Sequence, residues 1–148
     1  MKTKIVTLMA GIPGSGKSKY VKENFQAARV VSSDHYFMVR GQYQFKSEGL
    51  PEAHAQCLRD FVQAVQAWEP HVVVDNTNTT LVELAPYVAL ASAYGYQAEL
   101  CYLLCEPDVA HARNTHGVPL NVVWKLHQQL NHMLSHVPPF WRIKMCRL

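Results

Sequence analysis

Residues 11–18 read Gly-Ile-Pro-Gly-Ser-Gly-Lys-Ser and match the pattern G-x-x-x-x-G-K-[S/T]. A short apolar and β-branched run, Lys4–Ala10, precedes this octapeptide, and a segment suited to a helix, Lys17–Ala28, follows it. In the order strand, glycine-rich turn, helix, the backbone N–H groups of the turn point inward at a helix N-terminus and attract an anion. The octapeptide therefore predicts a phosphate-binding loop of the Walker A type, the P-loop.

The residue types in the loop indicate that it binds a nucleoside triphosphate. The ammonium group of Lys17 is expected to reach the β- and γ-phosphates, and the hydroxyl of Ser18 is expected to bind Mg²⁺. The remaining loop residues would surround the phosphates through their backbone; they are Gly11, Ile12, Pro13, Gly14, Ser15 and Gly16. The motif predicts nucleotide binding but leaves open which reaction follows.

The rest of the chain alternates short apolar runs with amphipathic stretches. Strands are expected at 29–33, 72–74, 96–104 and 140–146, helices at 51–68, 81–91, 107–115 and 119–134, and a loop with a helical turn at 35–50. Alternation of this kind is typical of an α/β fold in which helices cover both faces of a mainly parallel sheet. We therefore expect the three-layer sandwich of the P-loop NTPases.

Length and composition limit the class of protein. The 148 residues suggest one P-loop domain over 1–148, and 49% hydrophobic residues are enough for a core. The net charge of +3 is lower than that of a protein that coats nucleic acid. No apolar run is long enough for a membrane span or a signal peptide, so a cytoplasmic protein without membrane contact is expected. The four cysteines form no CxxC pair, which favours reduced thiols over disulfides or a zinc site.

Two aspartates follow predicted strands, where ligands of parallel sheets bind. Asp34 lies in the run Ser-Ser-Asp-His-Tyr at 32–36 and is a candidate general base, although an aspartate here also suits a helix cap or Asx-turn. Asp75 follows Val-Val-Val, the arrangement of a Walker B aspartate that binds Mg²⁺ together with Ser18, and a turn carboxylate is the alternative. Both are therefore candidate site residues.

Arg113 is the third candidate and lies between the two helices predicted after the fourth strand. A mobile segment at about 107–119 could close over a nucleotide, so that Arg113 neutralises charge on the transferred phosphoryl group. An arginine at a helix C-terminus is also favourable simply through the helix dipole. The pattern alone does not separate these two roles.

The order of four blocks resembles the 5′-polynucleotide-kinase-like P-loop ATPases, in particular their compact single-domain members. The blocks are the P-loop, the Ser-Ser-Asp-His-Tyr run at 32–36, Asp-Asn-Thr-Asn at 75–78 and Arg-Asn-x-His-Gly-Val-Pro at 113–119. The resemblance implies that Lys17 and Ser18 hold ATP and Mg²⁺, that Asp34 is the base for an acceptor 5′-hydroxyl, and that Arg113 is a lid arginine. It places Asp75 near the metal or the acceptor.

The chain departs from this family at the acceptor site. Bacteriophage-type polynucleotide kinases carry an arginine three residues after the base aspartate, and Phe37 stands at that position here. Their lid also usually carries more than one basic residue, whereas the stretch 113–116 reads Arg-Asn-Thr-His. The aromatic residues between 36 and 45 could stack a base or simply pack in a loop; they are Tyr36, Phe37, Tyr43 and Phe45.

Three functions remain for this sequence. The first is an ATP-dependent kinase that phosphorylates a hydroxyl, with a nucleic-acid 5′-end as the first choice of acceptor. The second is a kinase of a nucleoside or another small molecule, which the loss of basic contacts favours. The third is an ATP-binding adaptor without catalysis, against which the joint presence of Lys17, Asp34 and Arg113 weighs, because a binder needs no base. The sequence does not determine the oligomeric state.

Overall fold

A computed structural model describes residues 2–148 and shows an α/β architecture. Its strands are β1 (Ile5–Ala10), β2 (Arg29–Val31), β3 (Met38–Val39), β4 (Gln42–Tyr43), β5 (His71–Asp75), β6 (Gln97–Tyr102) and β7 (Ile143–Arg147). Its helices are α1 (Lys17–Asn24), α2 (Leu50–Gln66), α3 (Leu81–Ala93), α4 (Pro107–Arg113) and α5 (Leu120–Ser135). The predicted alternation of strands and helices is confirmed.

Five strands form one sheet in the order β2-β5-β1-β6-β7, and every neighbouring pair is parallel. The central strands are apolar on both sides because both faces of the sheet are covered, and Val72, Val73 and Val74 are fully buried. The register sets Met9 of β1 beside Asp75 of β5, so the carboxyl ends of the two strands lie at one edge. That edge carries the P-loop.

Helices cover the two faces unequally. The larger core lies between the sheet and helices α2, α3 and α5, with Phe61, Leu84 and Leu130 among its buried side chains. The smaller core on the opposite face contains Met9 and Val73 of the sheet and Val21 of α1. The predicted three-layer arrangement is confirmed. None of the helices formed by residues 2–148 is both long and apolar enough to cross a membrane.

Helix α1 ends at Asn24 rather than at the predicted Ala28. Phe25 leaves the helical conformation, with φ −124° and ψ 47°, and its ring contacts the ring of His71 edge-on at a centroid distance of 4.9 Å. A tertiary contact with β5 therefore ends the helix, although the local sequence would allow another turn.

The segment at 35–50, expected to be a loop with a helical turn, contains helical turns and in addition a hairpin that was not predicted. A 3₁₀ turn at Ser33–Phe37 leads into the antiparallel hairpin β3–β4, and a second 3₁₀ turn at Ser47–Gly49 leads into α2. Arg40 and Gly41 form the two-residue turn of the hairpin, with φ values of 51° and 80°. Positive φ at both positions is characteristic of a type I′ turn, which joins very short strands.

Candidate active site

The P-loop connects the end of β1 to the start of α1 and is held by its own glycines. Gly14 and Gly16 have φ values of 84° and 99°, in the left-handed region that favours glycine. Helix α1 begins with Lys17, and its first turn has no acidic residue, so its N-terminus remains available to an anion. The predicted phosphate cradle thus has the backbone that its sequence requires.

Lys17 is buried below this loop, with a relative exposure of 9%. Its Nζ donates a hydrogen bond of 3.3 Å to the carbonyl oxygen of Ile12. Burial lowers the pKa of Lys17, while the charges of Asp75 and Asp34 act in the opposite direction. Both predicted site aspartates therefore lie close enough to Lys17 for their charges to act on its ammonium group.

Ser18 and Asp75 form a pair at the mouth of the loop. The Ser18 hydroxyl donates a hydrogen bond of 2.8 Å to Oδ2 of Asp75, while the buried Oδ1 has no hydrogen-bond partner within residues 2–148. Burial raises the pKa of Asp75, opposed by the hydrogen bond from Ser18 and by the charge of Lys17. A hydroxyl and a carboxylate with a free oxygen are hard oxygen ligands, so this pair fits Mg²⁺.

Asp34 lies in the 3₁₀ turn that follows β2. The capping role belongs to its neighbour, since the Ser32 side chain accepts a hydrogen bond of 3.2 Å from the backbone N–H of Asp34. The half-buried Asp34 carboxylate instead accepts a hydrogen bond of 3.3 Å from the Tyr43 hydroxyl. Its own side chain is therefore not used as the cap that the sequence left as an alternative.

Asn76, next to Asp75, joins the two aspartate segments. Its Oδ1 accepts hydrogen bonds from the backbone N–H of Ser33 at 2.8 Å and from the Ser33 hydroxyl at 3.0 Å. Its Nδ2 contacts the thiol of Cys57 in α2 at 3.5 Å. Sequence reasoning assigned no role to Asn76, and the only signal for one was its place in the polar run at 75–78.

The same polar run also supports the P-loop. The Asn78 side chain donates a hydrogen bond of 2.7 Å to the carbonyl oxygen of Met9, and the carbonyl oxygen of Thr77 accepts one of 3.0 Å from Gly11. Asn78 has a φ of 47°, a conformation that asparagine tolerates better than most residues. Residues 75–78 thus connect the metal-binding candidate, the base segment and the phosphate loop.

The predicted lid begins on the P-loop. A Cβ atom placed on Gly14 would overlap the carbonyl oxygen of Ala110 in α4, so this helix lies directly on the loop. Arg113 follows three residues after Ala110, on the same side of the helix. Arg113 is exposed and makes no ion pair within residues 2–148.

The other end of the predicted lid contacts the segment that carries Asp34. The ring of His116 stacks on that of Tyr43, with the centroids 4.1 Å apart and an angle of 19° between the planes. Since Ala110 lies on the P-loop and Tyr43 bonds to Asp34, Arg113 belongs to a segment that extends from the phosphate cradle to the base. The expected lid at 107–119 has this position; neither Tyr43 nor His116 was singled out as its contact.

Phe37, which stands where bacteriophage-type polynucleotide kinases carry an arginine, is 4% exposed. Its ring contacts Tyr36, Tyr43 and Phe45 at centroid distances of 5.3, 6.2 and 5.1 Å. Phe37 therefore belongs to the packing of the hairpin. Tyr36 and Phe45 are 43% and 48% exposed, so both rings are accessible to solvent.

Comparisons with known proteins agree with this fold. The chain is 32% identical to human NEDD4-binding protein 2 in an alignment 147 residues long, which covers 92% of this chain and 8% of that protein. A chain in the structure of the Pnkp1/Rnl/Hen1 RNA repair complex superimposes with a TM-score of 0.77 at 17% identity, over 96% of this chain and 49% of that one. A gluconokinase from Sinorhizobium meliloti 1021 superimposes with a TM-score of 0.58 at 14% identity, over 99% and 82%.

The family comparison covers most of the chain, because residues 6–116 match the family described as AAA domain. The match begins in β1, includes the P-loop and both aspartates, and ends at His116 in the lid. The resemblance predicted from the four blocks is confirmed: the chain belongs to this AAA domain family and has the fold of the polynucleotide-kinase-like P-loop kinases.

Proposed function

We propose that the chain is an ATP-dependent kinase that transfers the γ-phosphate of ATP to a hydroxyl, with a nucleic-acid 5′-hydroxyl as the first choice of acceptor. The observation that carries the proposal is that Asn76, next to Asp75, accepts hydrogen bonds of 2.8 and 3.0 Å from Ser33, next to Asp34, so that the Asp34 segment is held beside the Ser18–Asp75 pair. A nucleotide-binding module needs Lys17 and the Ser18–Asp75 pair, but it has no use for a second carboxylate beside the phosphates. Asp34 is that second carboxylate.

The proposed reaction follows from these positions. The P-loop N–H groups and Lys17 would hold the β- and γ-phosphates, and Ser18 and Asp75 would hold Mg²⁺, which would neutralise phosphate charge. Asp34 accepts the proton of the acceptor hydroxyl while the oxygen of that hydroxyl forms a bond to the γ-phosphorus. The bond from that phosphorus to the bridging oxygen breaks, ADP leaves, and Arg113 stabilises the charge that develops on the transferred group. Residues 1–148 would form one kinase domain, with 107–119 as its lid.

A nucleic-acid acceptor is supported by two observations. The solved chain with the TM-score of 0.77 belongs to an RNA repair complex, although the low identity relates the two proteins by fold alone. The exposed rings of Tyr36 and Phe45 lie in the segment that carries Asp34, and aromatic rings stack nucleobases.

A small hydroxyl compound is the second candidate acceptor, and the burial of Phe37 favours it. A phosphodiester next to the reacting hydroxyl would require a cation, and the position that supplies one in bacteriophage-type kinases is occupied here by a packed ring. A nucleoside or another small alcohol has no such phosphodiester.

The test is a transfer assay with γ-labelled ATP. Acceptors are 5′-hydroxyl RNA, 5′-hydroxyl DNA, nucleosides and small alcohols, and a 5′-phosphorylated oligonucleotide of the same sequence is the matched control. We expect label on the 5′-hydroxyl oligonucleotide, none on its phosphorylated form, and none with Lys17→Ala. Label on small alcohols alone would favour the second candidate. ATP binding without transfer to any acceptor would favour the adaptor.

A further inference from the structure

Two cysteines that are distant in sequence are direct neighbours in the sheet. Cys101 of β6 is paired with Cys146 of β7 in the parallel register. Glu99 precedes Cys101 by two residues and so lies on the same face. The two Sγ atoms and a carboxylate oxygen of Glu99 all lie within 4.8 Å of one another.

This cluster is accessible from one side. Cys101 is 4% exposed, whereas Cys146 and Glu99 are half-buried. The helix on this face, α1, packs against β5, and two strands, β1 and β6, lie between β5 and β7. Lys144 is paired with Glu99 and is exposed. A small ion can therefore approach from solvent, while one of its ligands is held inside the core.

We propose that Cys101, Cys146 and Glu99 form a binding site for a thiophilic divalent cation of the zinc class. Thiolate sulfur is the ligand that selects such cations, and three protein ligands leave a fourth tetrahedral position for water. The cation replaces the two thiol protons, which pass to solvent. The negative charges of two thiolates and one carboxylate are then balanced by the cation together with the neighbouring Lys144 ammonium.

The burial of the cluster also favours a cation, since Cys101 is 4% exposed and its thiol lies beside that of Cys146. A thiophilic cation bound by both sulfurs would offset the repulsion between the thiolates and the cost of burying the negative charge of Cys101. The bound ion would join β7, the edge strand of the sheet, to β6.

The experiment is a Co²⁺ titration of the chain in a non-thiol reductant with excess Mg²⁺. Cobalt bound to thiolates shows a near-ultraviolet charge-transfer band, which oxygen or imidazole ligands do not produce. This band therefore distinguishes the cluster from the Ser18–Asp75 pair and from the stacked His132 and His136 in α5 and just after it. We expect the band to saturate at one equivalent of cobalt and to be displaced by Zn²⁺.

The variants are chosen to spare the core. Cys146→Ser and Glu99→Gln change half-buried residues, and each should weaken cobalt binding by more than about tenfold, since even outer partners of metal sites matter by about 10–100-fold. Cys105→Ser, a half-buried cysteine outside the cluster, is the matched control and should leave the band unchanged. Circular dichroism shows whether each variant is folded.

Three results would overturn the proposal. They are the absence of a thiolate band in the folded wild type, an equal band in Cys146→Ser, and a disulfide between Cys101 and Cys146 that persists in the reductant. None of them bears on ATP binding or transfer, because the cluster shares no residue with the proposed kinase site.

Discussion

Among single residues, Asp75 is held in a setting that disfavours its charge. Burial raises its pKa in spite of the hydrogen bond from Ser18 and the charge of Lys17. The folded chain therefore binds this proton more tightly than the unfolded chain does. Stability is lost as the pH rises from the ordinary aspartate range, about 3.9, through the raised native pKa. The burial of a carboxylate that is proposed to bind a cation thus lowers the stability of the fold when no cation is bound.

We expect Asp75→Asn to raise the Tm of the nucleotide-free chain at pH 7. The gain should shrink as the pH falls towards about 4, where the wild-type carboxyl is protonated as well. Thermal unfolding in chelator across this range measures the effect, with the exposed Asp108→Asn as control. Adding Mg²⁺ and ATP should reverse the order of the two proteins, because only the wild type retains the carboxylate ligand. A lower Tm at pH 7 would mean that the Asp75 charge stabilises the fold.

Tyr43 is a second single residue with a testable role, because its hydroxyl donates a hydrogen bond to Asp34. Its pKa is raised to about 12, first by burial and then by the charge of Asp34, so it remains a hydrogen-bond donor at neutral pH. Tyr43→Phe keeps the stacking on His116 and removes the bond to Asp34. We expect kcat to fall roughly two- to tenfold, as for a bond of about 0.5–1.5 kcal/mol, with the ATP Kd unchanged.

A shift in the pH–rate profile would identify Tyr43 as a positioning residue for the base, since a purely structural role would not move the profile. Tyr36→Phe is the control, because the Tyr36 hydroxyl makes no bond to Asp34. An unchanged kcat and profile in Tyr43→Phe would show that the bond has no part in transfer.

At the scale of elements, the P-loop and α4 can lie in close contact because residue 14 is a glycine and has no side chain. Gly14→Ala would place a methyl group on the carbonyl oxygen of Ala110, so the loop and the lid helix would have to separate. We expect this variant to lose both stability and ATP affinity, measured by thermal unfolding and calorimetry. Gly95→Ala is a matched control, with a φ of 78° but open space around the added atom.

The comparison of Gly14→Ala with Gly95→Ala separates the cost of backbone strain from the cost of steric overlap with α4. Both substitutions impose the strain of a left-handed alanine, which costs about 1–2 kcal/mol. Only Gly14→Ala should go beyond that loss and weaken ATP binding. Equal effects on stability, with ATP affinity intact in both, would contradict a close contact between α4 and the loop.

Arg113 is the last residue of α4, the helix of the proposed lid. Its exposed side chain makes no ion pair within the described part of the chain, and its helix is held on the P-loop at Ala110. Arg113→Ala should lower kcat with little change in the ATP Kd, because a lid arginine is most valuable where charge develops. A change in Tm alone, with kcat intact, would assign Arg113 to the helix dipole instead.

At the scale of the whole molecule, the sequence predicts what local patterns encode. The strand–glycine–helix order of residues 4–28 indicates the P-loop, and the carboxyl ends of parallel strands place Asp34 and Asp75 at the same edge. Contacts between distant segments were not predictable. The stacking of His116 on Tyr43 and the pairing of Cys101 with Cys146 depend on tertiary packing and leave no periodic signal. The end of α1 at Asn24 has the same origin, since Phe25 turns aside towards β5.

The assignment of a base distinguishes a kinase from an ATP-binding adaptor, and Asp34→Asn tests it. Asparagine keeps the size of the side chain and still accepts the hydrogen bond from Tyr43, but it does not take up the acceptor's proton. A positioned general base contributes about 10²–10⁴-fold to the rate. Transfer to whichever acceptor the wild type phosphorylates should fall by about that range, with the fold and the calorimetric affinity for Mg²⁺-ATP unchanged. Transfer at the wild-type rate in this variant would contradict the kinase mechanism proposed for the chain.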